Sequence, residues 1–260
     1  MIAVVIAMAA ATAAVALVVP ALGSEIQVGA APGDVTIYGP STGVSGVTGV
    51  TVTPGVTGVT GVTDTSPVPQ CTLPNTTADP CLAISQTTGF QVKIGGTPSI
   101  TVVPRNGWIV AWTAKLGAPS AADITFFDNS EGGAAEAGIS VLKPGKHLEY
   151  TLEGQSPMVP LLPYFGQTAE FPLAQALQVK KGEIVALTVP TWAPMLALYN
   201  ATGARYGKFV SWRSSRQKAN KGCTKPTSQT AQQSLNTSVE YACLYQQVRI
   251  TYSALEVSTP

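Results

Sequence analysis

His147 is the only histidine in the chain, so a Ser-His-acid triad would have to be built on it. It precedes Glu149 and Glu153 on the polar side of an alternating segment, where an exposed strand histidine is the expected role. The nucleophile-elbow pattern Gly-x-Ser-x-Gly does not occur. Its nearest approach, Gly154-Gln-Ser-Pro-Met158, lacks the second glycine that lets such a turn pack. Ser215-Arg-Gln-Lys218 reads Ser-x-x-Lys, but the Lys-Thr-Gly that accompanies it in penicillin-recognising enzymes is missing. Glu149 and Glu153 sit four residues apart, about 13 Å along a strand, too far for paired glycosidic carboxylates. Asp128-Asn-Ser-Glu-Gly-Gly133 offers oxygen ligands without the order of acids or the closing glutamate of a calcium loop, and reads as a solvated turn. These residues do not support catalysis, so a secreted hydrolase, which would have to act through His147, is the least favoured of the readings, and no metal or cofactor is expected.

Binding chemistry has better candidates. Arg205, Lys208, Arg213, Arg216, Lys218, Lys221 and Lys225 follow one another with no acid anywhere between Glu183 and Glu240, and Tyr206, Phe209 and Trp212 are interleaved. Outside a cell such a segment would meet a wall or surface polyanion, with salt-dependent attraction; nucleic acid is not the expected partner. The competing reading is a solvated face, with Phe209 and Trp212 partly in the core. Trp192, in Pro190-Thr-Trp-Ala-Pro194, is expected on a Pro-bounded loop, where an exposed ring would stack on a sugar. The candidate ligand set is thus Arg205, Lys208, Arg213, Arg216, Lys218 and Trp192, and the ligand a polyanion or a glycan.

The four cysteines close short polar loops if paired in sequence, Cys71 with Cys81 and Cys223 with Cys243. No Cys-x-x-Cys spacing suits zinc. Oxidised cysteines agree with the N-terminus. Residues 2–22 are uncharged and rich in Ala and Val, and Ala21 and Gly23 suit a signal-peptidase cut after Gly23. The alternative is an uncleaved anchor, which would be the chain's only contact with a membrane. Either way the protein is expected to be secreted or held at the cell surface.

Residues 24–87 read as a low-complexity linker. Within it, 43–63 carries Gly-Val-Ser and Gly-Val-Thr triplets interrupted by Val-Thr-Pro. The triplet resembles the stalks of bacterial collagen-like proteins, which would imply a spacer presenting an oligomeric head. Six triplets with one proline are too few to hold a triple helix alone, and a flexible spacer is the expected role. The sequence does not fix an oligomeric state. Asn75, Asn200 and Asn236 open Asn-x-Ser/Thr sequons.

What must position any site is a set of strands. With 25 Gly, 20 Pro and 11% charged residues, the composition fits short strands joined by turns better than long helices. Trp108, Val110, Trp112, Ala114 and Leu116 alternate onto one face; so do Leu148, Tyr150 and Leu152, and Val248, Ile250, Tyr252 and Ala254. Further strands are expected at 90–94, 99–104, 122–128, 137–142, 195–199 and 208–213, with no helix. The architecture expected over 88–257 is an all-β, two-sheet antiparallel sandwich, jelly-roll-like. Strand-turn-strand units such as Leu177–Ile184 resemble those of complement-type trimeric heads and carbohydrate-binding modules. Charge is polarised along the chain. Residues 1–92 hold four acids and no base, whereas 184–260 hold eight bases against Glu240 and Glu256.

Overall fold

The computed structural model describes residues 35–38, 59–60, 68–71, 81–198, 210–216, 223 and 231–258. Residues 1–34, most of the Gly-Val-Thr repeat and the sequons at Asn75 and Asn200 lie outside them. In chain order the elements are β1 (Val35–Tyr38), β2 (Val59–Thr60), β3 (Ile84–Ile94), β4 (Thr97–Pro98), β5 (Gly107–Lys115) and α1 (Ala121–Ser130). There follow β6 (Glu136–Pro144), β7 (Glu149–Gln155), β8 (Val159–Pro160), β9 (Thr168–Val179), β10 (Ile184–Ala193) and β11 (Leu196–Leu198). The last are β12 (Ser211–Ser214), β13 (Ser238–Glu240), β14 (Cys243–Gln246), β15 (Val248–Ile250) and β16 (Tyr252–Ser258). The protein is all-β, with antiparallel pairing throughout and one short helix among the described residues.

Two sheets face each other. One runs β1-β16-β5-β9-β2; the other runs β13-β7-β6-β10-β3-β12-β14, and β11 and β15 form a separate ribbon. Between the sheets Ile109, Trp112, Ala114, Phe171, Val179, Tyr252 and Ala254 of the first meet Ile139, Val141, Val185 and Leu187 of the second. Trp112 stacks on Phe171 at 4.5 Å, and the Tyr252 hydroxyl reaches across to donate to Val185 O at 2.9 Å. Gln91 is the polar bolt of this core. Its Nε2 donates to Ser211 O (2.9 Å) and its Oε1 accepts from Ile250 N (3.0 Å), so one buried side chain links β3 to the backbones of β12 and β15.

The alternation read for β5 holds at Trp112 and Ala114 but fails at Trp108, which is 40% exposed. Ala111 pairs with Leu255 and Ile109 with Glu256, so Val110 is an extra residue on β5. A bulge of this kind inverts the parity of the side chains beyond it: Ile109 turns inward and Trp108 outward. A second correction concerns 122–128, expected as a strand. Ser120 accepts from Asp123 N, and the Asp123 carboxylate accepts from Ser120 N, at 3.1 and 3.0 Å; this capping box opens helix α1. Two short strands also arise within 24–87: β1 pairs with β16, and β2, inside the repeat, pairs with β9. Both belong to the first sheet, and the first long strand, β3, begins at Ile84.

The outer face of the second sheet carries a small core of its own. Phe90, Leu142, Leu152, Ile184 and Ala186 are covered there by Tyr241. Beside them lies a hydroxyl row, with Ser140 and Thr188 at 2.6 Å and Thr88 and Thr188 at 2.9 Å. Gln232 fastens the covering segment to that row. Its backbone N donates to Thr88 Oγ1 (2.9 Å), its Nε2 donates to Thr237 O (2.7 Å), and its Oε1 accepts from the Tyr241 hydroxyl (2.7 Å). Within this network Ser140, Thr88, Thr188, Gln232 and Tyr241 each find a partner, which is the condition for it to stabilise rather than cost.

Candidate functional site

The basic segment meets the fold at β12, which lies between β3 and the outermost strand β14. Arg213, half-buried, points to the outer face, where its Nη1 donates to Tyr241 O at 2.8 Å. Arg216 donates from Nη2 to Ser85 O (2.7 Å) and Ser85 Oγ (3.1 Å). Both guanidiniums are thus occupied in pinning the chain to neighbouring strands: Arg213 holds the approach to β14, and Arg216 holds the exit from β12 to β3. Arg205, Lys208 and Lys218, with Lys221 and Lys225, lie outside the described residues.

The roots of the loops that carry them are well defined. Leu198 pairs with Val248, and Val210 O accepts from Gln247 N at 2.9 Å, so 199–209 leaves and re-enters beside the same two residues of the chain. At the other end of β12, Ser214 pairs with Cys243, whose disulfide partner is Cys223. Arg216 and Cys223, the described residues on either side of 217–222, are thus both anchored near this end of β12. Val210 and Arg216 stand six residues apart, so the two roots are about 20 Å apart along an extended strand. Tyr245 stacks on Trp212 at 4.4 Å and stiffens the edge between them.

Trp192 is elsewhere. It is not on a loop but in β10, and its side chain is fully buried. Its Nε1 donates to Asp128 Oδ1 at 2.8 Å, Phe127 stacks on it at 4.9 Å, and Phe165 lies at 5.5 Å. Of the two prolines that implied a loop, Pro190 is absorbed by a bulge and Pro194 lies just past the end of β10. Pro190 and Thr191 together face Gln86, which takes a positive φ of 43°, and a proline is tolerated where the ladder is already broken. The ring therefore cannot offer a face to a sugar; it seats helix α1. Asp128, read as part of a solvated turn, supplies the acceptor from the last turn of α1.

The remaining sequence candidates disperse. Ser215 is buried, and its hydroxyl accepts from Thr88 N at 3.0 Å and meets Thr87 Oγ1 at 3.2 Å. His147 is exposed at a positive φ of 54° ahead of β7. Glu153 pairs with Lys143 at 3.7 Å across the β6–β7 hairpin. No nucleophile, base and acid converge among the described residues. The cysteines do pair as expected, 71 with 81 and 223 with 243, and two disulfides fit an oxidising compartment.

Burial shifts several titrating groups. Desolvation raises the Tyr150 hydroxyl, which the charge of Arg213 partly offsets, and holds the Tyr241 and Tyr252 hydroxyls far above the ordinary phenol range. The Glu170 carboxyl on β9 is also raised by burial. A carboxyl raised in the folded state favours folding fully below its unfolded value, and that contribution is lost as pH rises through the folded value. Glu170→Gln should therefore raise Tm more at pH 7 than at pH 4. Thermal unfolding at the two pH values checks this, and an equal change at both would contradict it.

Sequence reasoning missed the Gln232 network altogether, because glutamine in a polar stretch carries no period that marks it as buried. No protein-family model, curated protein or solved structure matches the chain.

Proposed function

We propose that this protein is an exported, non-enzymatic binding module whose basic loops engage a polyanionic polymer of the cell wall or surface. The reading rests on one observation: two acid-free, basic segments are rooted at opposite ends of the same four-residue strand. Roots about 20 Å apart suit a polymer with repeated negative charges rather than one small anion. Residues 199–230 contribute Arg205, Lys208, Lys218, Lys221 and Lys225 beyond the two arginines already spent on the fold, with no acid to offset them. Export is supported by the uncharged 2–22 leader and by the disulfides. A jelly-roll-like winding is supported by the strand order β1-β16-β5-β9 opposite β7-β6-β10-β3, in which the chain passes repeatedly between the two sheets. Glycan stacking by Trp192 is not carried forward. Nor is a stalk favoured, since Val59–Thr60 of the repeat is held on β9.

The test is the variant Arg205→Ala/Lys208→Ala/Lys218→Ala in the full chain, measured for binding to poly(glycerol phosphate) and to neutral dextran. Loss of these three charges should weaken poly(glycerol phosphate) binding by about tenfold or more at low salt while leaving Tm almost unchanged. Undiminished binding by the variant, or no binding by the parent protein, would refute the reading.

A further inference from the structure

Of the four tryptophans, Trp108 is the one that reaches the surface: it is 40% exposed, whereas Trp112, Trp192 and Trp212 are buried. The extra residue Val110 puts it there, by turning over the start of β5 and aiming the ring out of the five-stranded sheet. An indole left in water forgoes the burial that drives the rest of the core, and a bulge is a device for re-aiming a side chain. Gln178, exposed on β9, stands directly opposite the ring, and Val257 on β16 flanks it on the other side.

Beside the ring the surface is positive. Two residues past Gln178, about 7 Å along the strand, the turn Lys180–Glu183 begins. Lys181 N donates to Asn106 Oδ1 (2.9 Å), Lys180 N donates to Glu183 Oε2 (2.8 Å), and Gly182 closes the turn at a φ of 91°. The turn is thereby fixed against the segment that leads into Trp108. Both lysines are exposed, and neither ammonium makes an ion pair among the described residues. The nearby carboxylates of Glu170, Glu183 and Glu256 are all buried, so no exposed acid of these strands offsets the lysines. An indole face, an amide beside it and two ammonium groups one sugar width away suit a pyranose that carries a negative charge. Its C–H face packs on the indole, its hydroxyls meet Gln178, and its acidic group meets the lysines. We propose that Trp108, Gln178, Lys180 and Lys181 form a binding site for an acidic sugar. The site lies on the five-stranded sheet, apart from the basic segments rooted on β12, and does not depend on what those segments bind.

Acrylamide quenching of the full oxidised chain tests this, because Trp108 is the tryptophan that a quencher can reach. Tetragalacturonate presents a carboxylate on the ring, a carrageenan tetrasaccharide presents a sulfate, and galactotetraose presents neither. Saturation with at least one acidic probe should shield the quenchable emission, and which of the two does so identifies the acidic group; galactotetraose should leave the emission as it was. By calorimetry, Trp108→Ala and Lys180→Ala/Lys181→Ala should each weaken binding of that probe by about tenfold or more. If Trp108→Ala fails to fold, the exposed lysine pair gives the same readout with the ring in place. The variant Arg205→Ala/Lys208→Ala/Lys218→Ala should bind the acidic probe as the parent does, so failure here and failure of the polyanion reading are told apart. Emission that neither acidic probe shields, affinity indifferent to both changes, or galactotetraose bound as tightly as the acidic probes overturns the site. Affinity lost in the Arg205 variant but kept in Trp108→Ala assigns the sugar to the basic segments and overturns it too.

Discussion

Trp192→Ala should cost about 3–5 kcal/mol of stability, the range for removing a buried tryptophan from a core that cannot close over the gap. For a body of this size that lowers Tm by about 10 °C. The loss has three parts at one place: the ring leaves a void at the end of β10, Phe127 loses its stacking partner, and Asp128 loses the N–H it accepts. Helix α1 buries no residue completely and is held by Ile124, Phe127 and this bond, so it should loosen first. Thermal melts by near-UV dichroism measure the effect. A variant with unaltered Tm that lost ligand binding would return Trp192 to a binding surface and contradict the packing account.

Breaking the second disulfide is the other large effect. Cys223→Ser/Cys243→Ser opens a loop of about twenty residues, which the chain-entropy model values at about 3 kcal/mol. In this fold the bridge has a local task as well. It ties the segment that carries Lys218, Lys221 and Lys225 to β14, whose partner β12 is itself secured to the sheet by only four residues. Denaturant unfolding of the variant against the parent protein should show the loss. A midpoint unchanged by removing both sulfurs would mean that Arg213, Arg216 and Gln232 already hold this edge unaided.

These effects bear on what the sequence made legible. Disulfide pairing was readable because loop length limits which cysteines meet. Strands were readable where burying one face of a sheet enforces alternation, as at Trp112 and Ala114; the alternation read at Leu148–Leu152 fails at Leu148, which lies ahead of β7 at a positive φ and is 41% exposed. The errors came from residues that break the ladder. Pro190 and Pro194 read as loop brackets, but a bulge opposite Gln86 let β10 run past the first and end at the second, with Trp192 between them. Val110 inverted the parity of β5 and sent Trp108 outward. At Ser120 the Ser-x-x-Asp spacing of a capping box was present, but a short apolar run of strand-like residues outweighed it. The basic cluster was the subtlest case. Its composition was plain, yet nothing in the sequence separates Arg213 and Arg216, which bond to Tyr241, Ala242 and Ser85, from bases left to a ligand. That distinction depends on carbonyls brought near from distant strands.

The most direct test of polyanion recognition is the salt dependence of binding by the unaltered full chain to poly(glycerol phosphate). Three to five neutralised charges should give a plot of log K against log salt with slope between about −2 and −4, by the counterion release known for single-stranded polyanions. Neutral dextran should show no binding at any salt. A slope near zero, or equal affinity for both polymers, would contradict the account.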